Sequence, residues 1–75
     1  MTGSDYKHEM IRALRKLSGM TQAELAEKAG VSRMMISLAE KGSYLHFDRL
    51  KLIAEAFGIQ PKDLLRDTVP EKTFA

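Results

Sequence analysis

Apolar residues recur at spacings of three and four along most of the chain. The runs that carry them are separated by single glycines, Gly19, Gly30, Gly42 and Gly58, placed where a glycine closes a helix. No stretch keeps up a strand-like alternation, and no Asn-Gly or Asp-Gly hairpin turn is present. The pattern predicts an all-α chain of five helices. The first runs from about Asp5 or Tyr6 to Ser18, with Met10, Ile11, Leu14 and Leu17 as its apolar stripe. The second starts at Thr21, where "TQAE" forms a capping box, and turns Leu25, Ala26 and Ala29 inward. The third has Ser32 as its N-cap and runs to about Lys41. The fourth spans roughly His46 or Phe47 to Phe57, with Phe47, Leu50, Ile53, Ala54 and Phe57 on one face. The fifth opens with "QPKDLL", where Pro61 suits the first helical position and Asp63 the positive end of the helix dipole. "TVPEKTFA" reads as an irregular tail.

Length adds one bound. The 75 residues make a single domain the natural expectation, with a core over about 6–67 and a tail over 68–75. A core this small gives modest stability, and with no cysteine neither a disulfide nor a thiolate metal site adds to it. The net charge of +2 is compatible with a nucleic-acid partner without demanding one. The N-terminal stretch "MTGSDYKHEMIRALRK" lacks the apolar core of a signal peptide, and no run approaches a membrane span. A cytoplasmic location and no membrane partner are expected.

Catalytic chemistry finds little to work with. His8 and His46 belong to no metal-ligand spacing, the serines form no nucleophile elbow, and the glycines form no phosphate-cradling cluster. The expectation is a protein that is not an enzyme, with no metal, no cofactor and no small-molecule substrate.

The informative part is the second and third helices, joined only by "AGVS". A tight turn at Gly30, followed by apolar Val31 as a plug, makes two short helices cross steeply, which is the form of a helix-turn-helix. A helix turns about 100° per residue. On the third helix, Ile36, Ala39 and Glu40 therefore cluster on one side with Ser32, and Ile36 and Ala39 face the core. The opposite side carries Met34, Ser37, Leu38 and Lys41, flanked by Arg33 and Met35.

"MTQAELAEKAGVSRMMISLAEKG" resembles the helix-turn-helix of the Cro and repressor type, the group that includes lambda repressor. The likeness extends over about Ile11 to Leu65, through "IRALRK", "LKLIAEAFGI" and "PKDLL". It implies a compact five-helix DNA-binding domain whose third helix enters the major groove. By position, Arg33, Met34, Ser37 and Leu38 would face base edges, while Thr21, Gln22, Arg15 and Lys41 would meet phosphate. Arg15 and Glu40 match a family pair that ties the first helix to the third beside the DNA backbone. The link "GSYLH" departs from the family, lacking the usual proline and running a residue shorter.

Side-chain chemistry narrows what such a face reads. The guanidinium of Arg33 suits guanine O6 and N7, or a phosphate. Met34 and Leu38 cannot hydrogen-bond to a base but pack on thymine methyls. Ser37 discriminates weakly. Met34 and Leu38 also fit a protein-binding patch, as in antitoxins or antirepressors, so a protein partner stands as the alternative. The basic residues of the first helix, Lys7, Arg12, Arg15 and Lys16, suit a phosphate track, with Lys28, Arg33, Lys41, Arg49 and Lys51 beyond it. Not all can face DNA, and Arg12 and Lys16, on the outer face, also read as solvated charges. The resemblance further implies a homodimeric repressor on a near-palindromic double-stranded operator, with recognition helices about 34 Å apart. Leu65, Val69 and Phe74 are the candidates for the dimer interface, and Leu64 belongs to the core.

Overall fold

The computed structural model describes residues 6–66. These contain α1 (His8–Leu17), α2 (Gln22–Ala29), α3 (Arg33–Glu40), α4 (Phe47–Phe57) and a 3₁₀ turn over Pro61–Leu64. The fifth expected helix is therefore a single tight turn. Pro61 starts it as anticipated, but Leu65 adopts an extended backbone and pairs with Tyr6 in an isolated antiparallel bridge. The amide of Lys7 donates to the carbonyl of Leu64 at 2.6 Å, so that carbonyl is already engaged before another helical turn can use it.

The same bridge shortens the start of α1. Tyr6 is only 3 % exposed, and α1 begins two residues later, at His8. The Tyr6 hydroxyl lies 2.6 Å from the Ser43 carbonyl and 3.1 Å from that of Ala39, so its one proton serves the end of α3. Burial raises the Tyr6 pKa.

The local signals at the other helix starts are realised. The Thr21 hydroxyl accepts from the Glu24 amide at 3.0 Å, and the Glu24 carboxylate accepts from the Thr21 amide at 2.8 Å. Ser32 Oγ accepts from the Met35 amide at 3.1 Å. His46 caps α4, its Nδ1 accepting from the Asp48 amide at 3.2 Å. Gly30 ends α2 in the left-handed region, at φ 77°, which lets the Val31 amide reach back to the Ala26 carbonyl. That closure sets the sharp entry into α3.

Ile11, Leu25, Ile36, Ile53 and Leu64 are fully buried, one from each element. α2 packs on both α3 and α4, and α1 packs on α3. Two residues depart from the expected stripes. Leu17 is 83 % exposed, because α1 ends there and the chain turns away through Gly19. Met20, just past that turn, packs against the core. Phe47 is 48 % exposed at the first position of α4. Ala56, unremarked in the periodic pattern, is buried.

Candidate nucleic-acid interface

The site is built from the junction of three helices. Ile36 and Ala39 are completely buried and fix which way α3 faces. Glu40, on the same side, closes a polar network rather than joining the apolar core. Arg15 Nε donates to Glu40 Oε2 at 2.6 Å, and Arg15 Nη2 donates to Oε1 at 3.2 Å. Arg15 Nη1 donates to the Met20 carbonyl at 2.9 Å. Gln22 Nε2, from the first residue of α2, donates to Glu40 Oε1 at 3.1 Å. One carboxylate thus joins α1, α2 and α3. The side chains of Arg15 and Glu40 are only 12 % and 5 % exposed, so this is no ordinary surface ion pair.

Two opposed effects act on Glu40. Burial alone would raise its pKa. The hydrogen bonds from Arg15 and Gln22, with the positive charges of Arg15 and Arg12, outweigh that and hold the carboxyl below its usual range. The Glu40 hydrogen bond raises the Arg15 pKa against desolvation, so both groups stay charged.

Two shallow depressions flank this network and share Gln22 and Ser37. One, of about 260 Å³, is lined by Arg12, Arg15, Gln22, Ser37, Glu40 and Lys41. Its walls hold three cations against one carboxylate. The other, of about 230 Å³, is lined by Gln22, Arg33, Met34 and Ser37. Together they bring seven of the expected contact positions towards one surface or its margin: Arg33, Met34 and Ser37 at one end, Gln22 between, Arg15 and Lys41 at the other, with Thr21 exposed beside Gln22 as the cap of α2. Leu38, one turn beyond Met34, is 42 % exposed, and Met34 is 70 % exposed.

Arg33 breaks a local rule. It is the first residue of α3, at the positive end of the helix dipole, where a cation is disfavoured. Its guanidinium is exposed, as is the Lys41 ammonium at the far end. Of the two readings of Arg12, a phosphate-track cation or a solvated charge, its place favours the first: it lines the basic depression beside Glu40. Its place was hidden in the sequence because only the crossing of α1 over α3 brings it there. Of the dimer candidates, Leu65 is 38 % exposed. Val69 and Phe74 lie outside the described residues.

A family model described as "Helix-turn-helix" matches residues 11–64, which takes in α2, the Gly30 turn and α3. The chain belongs to this helix-turn-helix family, of the Cro/repressor type. An uncharacterised HTH-type transcriptional regulator of Archaeoglobus fulgidus is 47 % identical over 55 residues, spanning 72 % of this chain and 79 % of the relative. The restriction-modification controller protein C.AhdI from Aeromonas hydrophila superposes with a TM-score of 0.71 at 27 % identity, over 77 % of this chain and 86 % of that one. SinR, the master regulator for biofilm formation, solved in complex with DNA, superposes with a TM-score of 0.67 at 26 % identity, over 73 % and 90 % of the two chains. Among the described residues, no helix of this helix-turn-helix protein is long and apolar enough to cross a membrane.

Proposed function

We propose that this chain is a transcriptional regulator that binds double-stranded DNA with α3 in the major groove. One observation carries the reading. The Glu40 network and the buried pair Ile36 and Ala39 fix α3 so that Arg33, Met34, Ser37 and Leu38 point away from the core beside a basic depression. The residues that hold the helix and the residues that read from it are different sets on opposite faces. SinR, superposable on most of this chain, is solved with DNA, which supports the assignment.

In this reading Arg33 takes guanine O6 and N7, Met34 and Leu38 pack on thymine methyls, and Ser37 fills in with either hydrogen-bond sense. Keeping Arg33 at the wrong end of a helix dipole costs about 0.3–1 kcal/mol, an expense with no return inside the fold. Thr21 and Gln22 approach phosphate at the start of α2, where the dipole favours an anion. Arg15 lends charge, but its guanidinium nitrogens are engaged by Glu40 and Met20. Lys41, with Arg12 across the depression, is the cation free to take a backbone phosphate. One domain makes a small footprint, so the active species is a homodimer on a near-palindromic operator, paired through Leu65 and the segment carrying Val69 and Phe74. Repression is by occlusion of the promoter, in the cytoplasm.

Binding of wild-type protein to genomic fragments at rising salt tests this. Affinity falls steeply with salt if phosphates are neutralised, with a log–log slope of about −0.9 for each phosphate contacted. A salt-indifferent complex would instead favour the antitoxin- or antirepressor-like protein interface that the exposure of Met34 and Leu38 also fits. Sedimentation of a chain ended after Arg66 tests the dimer: a monomer is expected, and an unchanged dimer overturns the interface.

A further inference from the structure

The depression at the start of α3 combines Met34, 70 % exposed, with Arg33, Ser37 and Gln22. The C5-methyl of a pyrimidine is the apolar feature a thioether meets in the major groove. Thymine carries that methyl, and 5-methylcytosine carries it at the same ring position. The two bases differ at C4, where one presents a carbonyl acceptor and the other an amino donor. Met34 touches methyls and has no group that senses C4. Its polar neighbours do not decide the matter either. The Ser37 hydroxyl donates or accepts, and Gln22 commits one amide hydrogen to Glu40 while keeping its carbonyl oxygen and a second hydrogen. Arg33 offers only donors, which suit guanine.

We propose that this face reads a C5-methylated pyrimidine beside a guanine, and so binds DNA carrying 5-methylcytosine next to guanine in preference to the same DNA with unmodified cytosine. The inference rests on the major-groove role of α3 given above. Cytosine methylation would then act on this regulator as a change of bound sequence.

The test uses the full chain and three randomised duplex libraries. One contains thymine and cytosine, a second replaces thymine by uracil and so has no C5-methyl, and a third adds 5-methylcytosine to that uracil background. The expected result is a thymine-and-guanine motif from the first library. In the second, the same sites bind about fourfold more weakly for each contacted methyl removed. In the third, binding returns with 5-methylcytosine standing where thymine stood. Met34→Ser, at an exposed position that leaves melting unchanged, removes the difference at one base position and keeps the guanine preference.

Equal binding of the motif with thymine and with uracil overturns the inference and leaves the DNA-binding reading standing. So does a methyl preference that 5-methylcytosine fails to restore, or one that Met34→Ser leaves intact. Recovery of no motif from any library overturns the groove-reading role itself.

Discussion

The two ends of the surface around α3 are built on opposite principles. At the α1–α2–α3 junction the groups that clasp the helices are committed to one another: Arg15 to Glu40 and Met20, and one Gln22 amide hydrogen to Glu40. At the start of α3, Arg33 and Met34 are exposed and commit to nothing that fixes them. A polar group satisfied inside the protein positions a helix, and one left unsatisfied is available to a ligand. The contrast separates the positioning groups from the proposed reading groups along an eight-residue helix.

The sharpest way to break the contrast is at the committed end. Glu40→Ala leaves the nearly buried Arg15 guanidinium without its counter-ion, and is expected to lower stability by up to about 3 kcal/mol in urea unfolding. DNA affinity should fall with it, because α3 loses its register. An unchanged midpoint would show that the network does not hold the helices together.

Arg33→Ala probes the free end. Stability should rise by about 0.3–1 kcal/mol, because a cation leaves the positive end of the helix dipole. Affinity for a guanine-containing site should drop by about 1–3 kcal/mol, with discrimination at that base relaxed. Uniform weakening across all sequences would make Arg33 a phosphate ligand instead.

Acid provides a milder version of the first experiment. The Glu40 carboxyl is held below its usual range, so its contribution is fully present above the unfolded pKa of about 4.3. It is lost as pH falls through the lower folded value. Glu40→Gln is therefore expected to flatten the acid limb of the stability–pH curve. If the limb keeps its slope, other carboxylates govern it.

The smallest effects belong to the basic depression beside the Glu40 network. Arg12→Ala and Lys41→Ala should each reduce the salt slope of DNA binding by about 0.9, with melting temperature and sequence preference unchanged. Loss of slope for Lys41 alone would return Arg12 to the status of a solvated charge.

What the sequence made legible was whatever local chemistry decides. The Thr21 capping box, the Ser32 cap, the inward set of α2 and the facing of Ile36 against Met34 all depend on residues within a turn or two of one another. What it hid depends on contacts between distant segments. The last helix stops as a 3₁₀ turn because Leu65 is drawn into a bridge with Tyr6, fifty-nine positions earlier in a count no periodicity reveals. Tyr6 is a lone aromatic ahead of a helix, and its burial needs α3 beside it. Leu17 fits its stripe perfectly well by spacing yet has no neighbour to cover it. Arg12 reaches the basic depression only through the crossing of α1 and α3.

The brevity of α3 has a practical consequence. Isolated helices under about 12–15 residues are marginal in water, and this one has eight. Its shape is held from outside: by the Ser32 cap at one end, by the Tyr6 hydroxyl beside the Ala39 carbonyl at the other, and by Glu40 reaching sideways to two more helices. A synthetic peptide copied from α3 would carry all the proposed base-reading side chains and still be a coil. Such a peptide would compete poorly with the intact protein, and a mimic would have to import the clasp along with the letters.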